Sequence, residues 1–286
     1  MGLTWPVVLA VLLGALLHAG WNAMIKAGRD KPLDTALMHA LAVLAALPVL
    51  LVAGFPASAA WPWLAASAAI HVGYYTALAG AYRHGDLGLT YPVMRGLAPP
   101  LVALASGAVL GEALALPAWL GIAGISAGVL LVGLSRSSGS SASHGRALGF
   151  ALANAVIIAA YTLVDGRGVR AAGDALQYVA ALFLLDGLAY FALVMWRRGG
   201  DRPAAWAYMA GRWKAALAGM LASAASYGIA LWAMTQAPVA AVAALRETSV
   251  LFAALIGARW LKEGFGLRRA AGTLLIAGGV MALRWG

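Results

Sequence analysis

The strongest constraint on this chain is a rhythm. Apolar runs of about twenty residues follow one another with only a few residues between them. A bilayer-spanning helix needs roughly 20 mostly apolar residues. Ten such runs can be laid down: 4–26, 33–53, 61–83, 88–110, 117–135, 147–167, 174–196, 212–234, 239–261 and 267–285. Breakers such as GRDKP (28–32), GFPAS (54–58), RRGGDRP (197–203), QAP (236–238) and KEGFG (262–266) separate them. In lipid the backbone must satisfy its own polar groups, so runs of this length become helices. Loops this short leave no room for a soluble domain. With 63% hydrophobic and 10% charged residues the chain departs far from a soluble composition, which carries about 25% charge. The expected fold class is an all-α polytopic membrane protein with ten transmembrane helices. The first run lacks a basic leader and continues into WNAMIK, so it reads as a membrane helix rather than a signal peptide.

The chain has no cysteine, which excludes a disulfide framework, thiolate chemistry and Cys-ligated metal. Its net charge of +10 sits in short loops between apolar runs, which points to cytoplasmic retention and not to nucleic acid. Odd-numbered connections carry 15 Lys and Arg against 3 in the even-numbered connections and termini. The positive-inside rule then places both termini outside.

A shift of 151 aligns residues 61–133 with 212–284 without a gap: Arg95 falls on Arg246, Glu112 on Glu263, Gly121 on Gly272 and Gly128 on Gly279. A shift of 140 puts Asp34 on Asp174 and Trp21 on Tyr161, the difference being absorbed by a longer 197–212 loop. The halves are a first five-helix repeat (1–135), a Ser/Gly-rich linker (136–146) and a second five-helix repeat (147–286). Five helices is an odd number, so the repeats enter the membrane from opposite sides. Such inverted repeats place a substrate site near the midplane, between the halves.

Polar groups at membrane depth usually face a bundle interior or a cavity. On helix 3, His71, Tyr75 and Tyr82 share a face with Tyr74 beside it, and Tyr91 follows on helix 4. Tyr82 fits an interfacial aromatic belt; His71, Tyr74, Tyr75 and Tyr91 fit a cavity wall. Helix 1 offers His18, Trp21 and Asn22 at i, i+3 and i+4, and helix 6 offers Asn154, Tyr161 and Asp165 at i, i+7 and i+11. Asn22 and Asn154 fit interhelical packing equally well, and Asp165 stands near a helix end. Helix 8 adds Ser223, Ser226 and Tyr227. Asp186 is mid-helix, a partner for an arginine or a proton carrier.

Arg95 and Arg246 each lie six to eight residues into a helix, so an inverted repeat sets one near each membrane face, as two gates require. Glu247 points about 100° away from Arg246 and needs another partner. Pro92, Pro99 and Pro100 each remove a backbone donor, making helix 4 a candidate hinge. GIAGISAG (121–128) and AGTLLIAGG (271–279) read as close-packing faces.

No HExxH or phosphate-cradling Gly-rich loop is present, so no enzyme, metal or cofactor is expected. HAGWNAMIK, YPVMRGLAPPLVALASGAVLGE and AALRETSVLFAALIGARWLKE resemble the EamA-type branch of the drug/metabolite transporter superfamily, across essentially the whole chain. Within it the sequence is similar to the aromatic amino acid exporter (YddG-like) branch. The resemblance implies a single ten-helix basket in a bacterial-type inner membrane, exporting small metabolites by alternating access. It also implies that His71, Tyr74 and Tyr91 line the central cavity. Family members usually have cytoplasmic termini, against the charge count. The expected function is amino acid export, aromatic and other bulky apolar ones included. The alternative is a multidrug or lipophilic-cation exporter, which needs an uncompensated acid such as Glu247 or Asp165.

Overall fold

The computed structural model describes residues 3–84, 87–134, 144–261 and 266–285. The side chains of Tyr75 and Tyr82, Glu263 and most of the 136–146 linker lie outside the described residues. Eleven α-helices occur among the described residues: α1 (Trp5–Lys26), α2 (Lys31–Ala53), α3 (Trp61–His84), α4 (Leu87–Leu110), α5 (Leu116–Leu134), α6 (His144–Ala172), α7 (Ala175–Arg198), α8 (Arg202–Gln236), α9 (Val239–Arg246), α10 (Ser249–Leu261) and α11 (Leu267–Trp285). Seven stretches meet a length and hydropathy standard for crossing a membrane, one of which, Ala175–Gln236, contains both α7 and α8. Leucines such as Leu9, Leu13, Leu44, Leu51, Leu104 and Leu274 face outward, as lipid-exposed residues must.

Three boundaries differ from those the hydropathy predicts. The 197–212 stretch is not a loop: a single 3₁₀ turn at Gly199–Asp201 leads into α8, which begins at Arg202 with Pro203 in its first turn. Proline is pre-organised there and loses no helical bond. At 35 residues α8 is about 52 Å long, well beyond a hydrocarbon core of about 30 Å. Helix 6 extends past both ends of its apolar run, to His144 and Ala172. Asp165 and Arg170 do not end it, because both find partners. The ninth run is two helices rather than one, broken at Glu247 and Thr248.

α5 lies along α11, α2 along α7, α1 along α8, and α6 along both α3 and α4. α9 is the most enclosed: Val239 through Leu245 are all buried. At α5 and α11 the backbones touch. A Cβ on Gly121 would sit 2.8 Å from the Gly279 carbonyl, and one on Gly128 would sit 2.6 Å from that of Gly272. These are the two close-packing faces expected from the sequence.

Ion pairs tie the two ends of the bundle. At one end Arg198 grips both Asp30 oxygens at 2.8 and 2.6 Å, while Asp34 meets Arg212 at 3.0 Å and the Tyr208 hydroxyl at 3.1 Å. Asp30 and Asp174 are the N-caps of α2 and α7, accepting from Leu33 and Gln177. By capping role Asp174 therefore matches Asp30, not Asp34. At the other end Arg170 meets Glu112 at 2.6 Å and donates to the Met234 and Ala237 carbonyls, while Glu112 accepts the Val239 N–H that opens α9. One acid–base pair thus closes the α8–α9 junction.

Candidate functional site

The ninth run breaks for a local reason. The Thr248 hydroxyl donates to the Leu245 carbonyl at 2.7 Å, and the turn tightens to three-residue bonds, Glu247 N to Ala244 and Thr248 N to Leu245. Ser and Thr compete with the helical ladder in this way and bend helices. The break leaves Glu247 buried and aimed at α4, where Arg95 Nε stands 2.8 Å from its carboxylate. Both side chains are more than nine-tenths buried. An ion pair this deep is weak evidence for stability, yet breaking one side of it is severe.

A narrow cleft opens beside this pair, lined by Arg95, Ala98, Pro99 and Val102 of α4, Ile158, Tyr161 and Thr162 of α6, and Ala243, Arg246 and Glu247 at the end of α9. Here the gate expectation is corrected. Arg95 and Arg246 do not mark separate membrane faces; they share one cleft. Glu247 finds its partner in Arg95. Arg246 is half-buried over the Tyr227 ring at 5.2 Å and has no acidic partner among the described residues. Two guanidinium groups thus face one carboxylate.

Tyr161 connects the cleft to an aromatic group. His71 stacks on it with ring centroids 4.7 Å apart, and Tyr74 meets it edge-on at 6.1 Å. His71 Nδ1 is 2.9 Å from the Ser67 carbonyl and 3.3 Å from the Ser67 hydroxyl. One turn beyond Tyr161, Asp165 is fully buried, not solvated at a helix end as its position suggested. Its carboxylate accepts from Tyr178 at 2.9 Å and from Tyr227 at 2.5 Å.

The helix 1 residues stay outside this lining. Trp21 packs with Met38, Phe183 and Leu217, and Asn22 donates to the His18 carbonyl of its own helix. Asn154 donates to Met94 Sδ at 2.9 Å, the packing role open to it. Tyr91 is half-buried, packed on the main core and on the α4–α6 cluster. Asp186 is half-buried and makes no ion pair among the described residues. α4 runs without interruption through all three prolines. Pro92 fills the space left by Gly133 of α5, and Pro99 faces the cleft. Sequence reasoning missed Tyr178, Ser67 and the Thr248–Ser249 break; the polar triplet Glu-Thr-Ser inside an apolar run was the available signal for the last.

Residues 145–285 match the EamA-like transporter family. This stretch, just under half of the chain, is similar to an EamA-like transporter domain. It supplies Tyr161, Asp165, Tyr227, Arg246 and Glu247, whereas Arg95, Pro99, His71 and Tyr74 come from the other half. The match marks a multi-pass membrane transporter of the drug/metabolite type. A solved crystal structure shares the fold over nearly the whole chain: TM-score 0.71, covering 96% of this chain and 94% of the other at 18% identity. A comparison with curated proteins gives no match.

Proposed function

We propose that this EamA-like transporter exports amino acids, aromatic and other bulky apolar ones included, from the cleft between α4, α6 and α9. The carrying observation is the charge of that cleft: Arg246 has no acidic partner among the described residues, while Arg95 already holds Glu247. A guanidinium poised this way suits a carboxylate, with which it forms strong charge-assisted hydrogen bonds. Pro99 and Pro100 have no N–H, so the helical ladder supplies no donor to the carbonyls of Arg95 and Gly96. Those carbonyls suit an ammonium group. Tyr161, His71 and Tyr74 offer rings on which an apolar or aromatic side chain packs. A lipophilic cation would need an acid left uncompensated in the cleft. Glu247 is engaged, and Asp165 lies beneath two tyrosines.

Transport in this reading is alternating access between two inverted five-helix repeats making ten crossings, within one chain in a bacterial-type inner membrane. The contact pattern supports the symmetry. Gly121 and Gly128 are the repeat mates of Gly272 and Gly279, and the observed contacts cross, Gly121 with Gly279 and Gly128 with Gly272, as a twofold axis requires. The α1–α8 contact likewise maps onto α6–α3, and α4–α6 onto α9–α1. The Arg198–Asp30 and Arg212–Asp34 pairs at one end and Arg170–Glu112 at the other act as the gates, the first on the cytoplasmic face by the positive-inside rule.

The test is flux into proteoliposomes from a panel of amino acids and cationic dyes. Uptake of bulky apolar amino acids that is lost in Arg246→Gln is expected. Dye transport without amino acid transport refutes the reading.

A further inference from the structure

A carboxylate buried in a membrane protein is costly unless charge or hydrogen bonds replace its water shell. Asp165 is fully buried and has no ion-pair partner among the described residues. Hydroxyls solvate it instead, from Tyr178 of α7 and Tyr227 of α8. The pocket is built for this. A Cβ on Gly168 would overlap the Tyr178 ring and hydroxyl, so only glycine there lets that tyrosine reach the acid. Ser67 and His71 adjoin Asp165 from α3, and Tyr161 precedes it by one turn on α6. α9 contributes Arg246 behind the Tyr227 ring, and α4 contributes Arg95 at the far side of Tyr161.

Tyr227 therefore faces two ways. Its hydroxyl is given to Asp165, and its ring lies under Arg246. We infer that Asp165 is a proton-binding site coupled through Tyr227 to Arg246, so that a proton on Asp165 and a small carboxylate ligand in the cleft favour each other. The step is a protonation alone: the carboxylate takes one proton from water and becomes a neutral acid, and no other bond changes. The sign follows from charge. Ionised Asp165 repels an anion held at Arg246, and protonation removes that repulsion. By linkage, the bound anion favours the protonated acid by the same factor.

The inference rests on the carboxylate reading of the cleft, and its test separates the two. Phenylalanine binding to the full chain in nanodiscs is measured calorimetrically in acidic and alkaline buffer. Wild type is expected to bind about tenfold tighter in acid. Asp165→Asn, a permanent mimic of the neutral acid, binds tightly in both. Tyr227→Phe keeps the ring under Arg246 but drops the hydroxyl, and its pH dependence shrinks; it serves if Asp165→Asn does not fold. Equal pH dependence in wild type and Asp165→Asn overturns the inference, as does a dependence lost only in His71→Gln. If no amino acid binds, the proposed substrate class fails, and the proton site is read by infrared spectroscopy. A carboxylic acid band that titrates in wild type, and is missing in Asp165→Asn or shifted in Tyr227→Phe, upholds it. No such band overturns it.

Discussion

α4 and the α9–α10 pair align under the 151-residue shift, yet they treat the helical ladder in opposite ways. α4 carries Pro92, Pro99 and Pro100 and still runs as one helix from Leu87 to Leu110. The other segment has Ala243, Val250 and Leu251 at the corresponding positions and breaks at Glu247 and Thr248. The break falls opposite Gly96 and Leu97, the turn from which Pro99 and Pro100 withhold their donors. Both halves therefore weaken the ladder at one level, one by missing N–H groups and the other by a competing hydroxyl. Proline chemistry alone is a poor guide to where a membrane helix gives way. In α4 the continuous helix is packed with Pro92 seated against Gly133, whereas the Thr248 hydroxyl and the pull of Arg95 on Glu247 act together at the break.

The largest expected effect comes from cutting the tie between the two segments. Glu247→Gln leaves Arg95 buried without its counter-charge and should destabilise the protein by about 3–5 kcal/mol, read as a fall in midpoint on chemical denaturation in detergent. Replacing both residues by leucine should recover much of that loss. If the double variant is no better than the single one, the pair is not the source of the effect. Next comes the region where the halves behave alike. Gly128→Ala forces a methyl against the Gly272 backbone, at a cost of about 1–3 kcal/mol; an unchanged midpoint would show that α5 and α11 can separate freely.

The comparison itself is sharpened by Thr248→Ala. Removing the 2.7 Å hydroxyl bond to Leu245 favours a continuous helix by about 1 kcal/mol, and turnover should drop while substrate affinity holds. Pro99→Ala should change turnover least, because α4 is already continuous. Should Pro99→Ala arrest transport while Thr248→Ala leaves it intact, the bending element lies in α4 after all.

Much of this fold was legible in the sequence because the bilayer admits so few solutions. Runs of twenty apolar residues had to be helices, and the glycine faces of 121–128 and 271–279 could only serve close packing. Hydropathy failed where charge met a partner. The stretch 197–212 read as a loop, yet α8 begins at Arg202, and Arg212 within it pairs with Asp34. Asp165 read as solvated because tyrosines on α7 and α8, more than ten residues away in sequence, supply its hydrogen bonds. The arginines were expected apart, yet both line one cleft. Their depth along each helix could be counted, whereas the crossing of α4 with α9 that brings them together is a tertiary fact. The aromatic group was half visible: spacing and resemblance pointed to His71 and Tyr74, and the repeat pointed to Tyr161. Nothing in sequence said that they stack.

The central claim is that Arg246 receives the carboxylate of an amino acid. It is tested most directly by comparing proteoliposome uptake of phenylalanine with that of phenylalanine amide, in wild type and in Arg246→Gln. The account predicts robust phenylalanine uptake by wild type, little uptake of the amide, and loss of the difference between the two in the variant. Amide transported as well as phenylalanine, or full discrimination retained in Arg246→Gln, would contradict it.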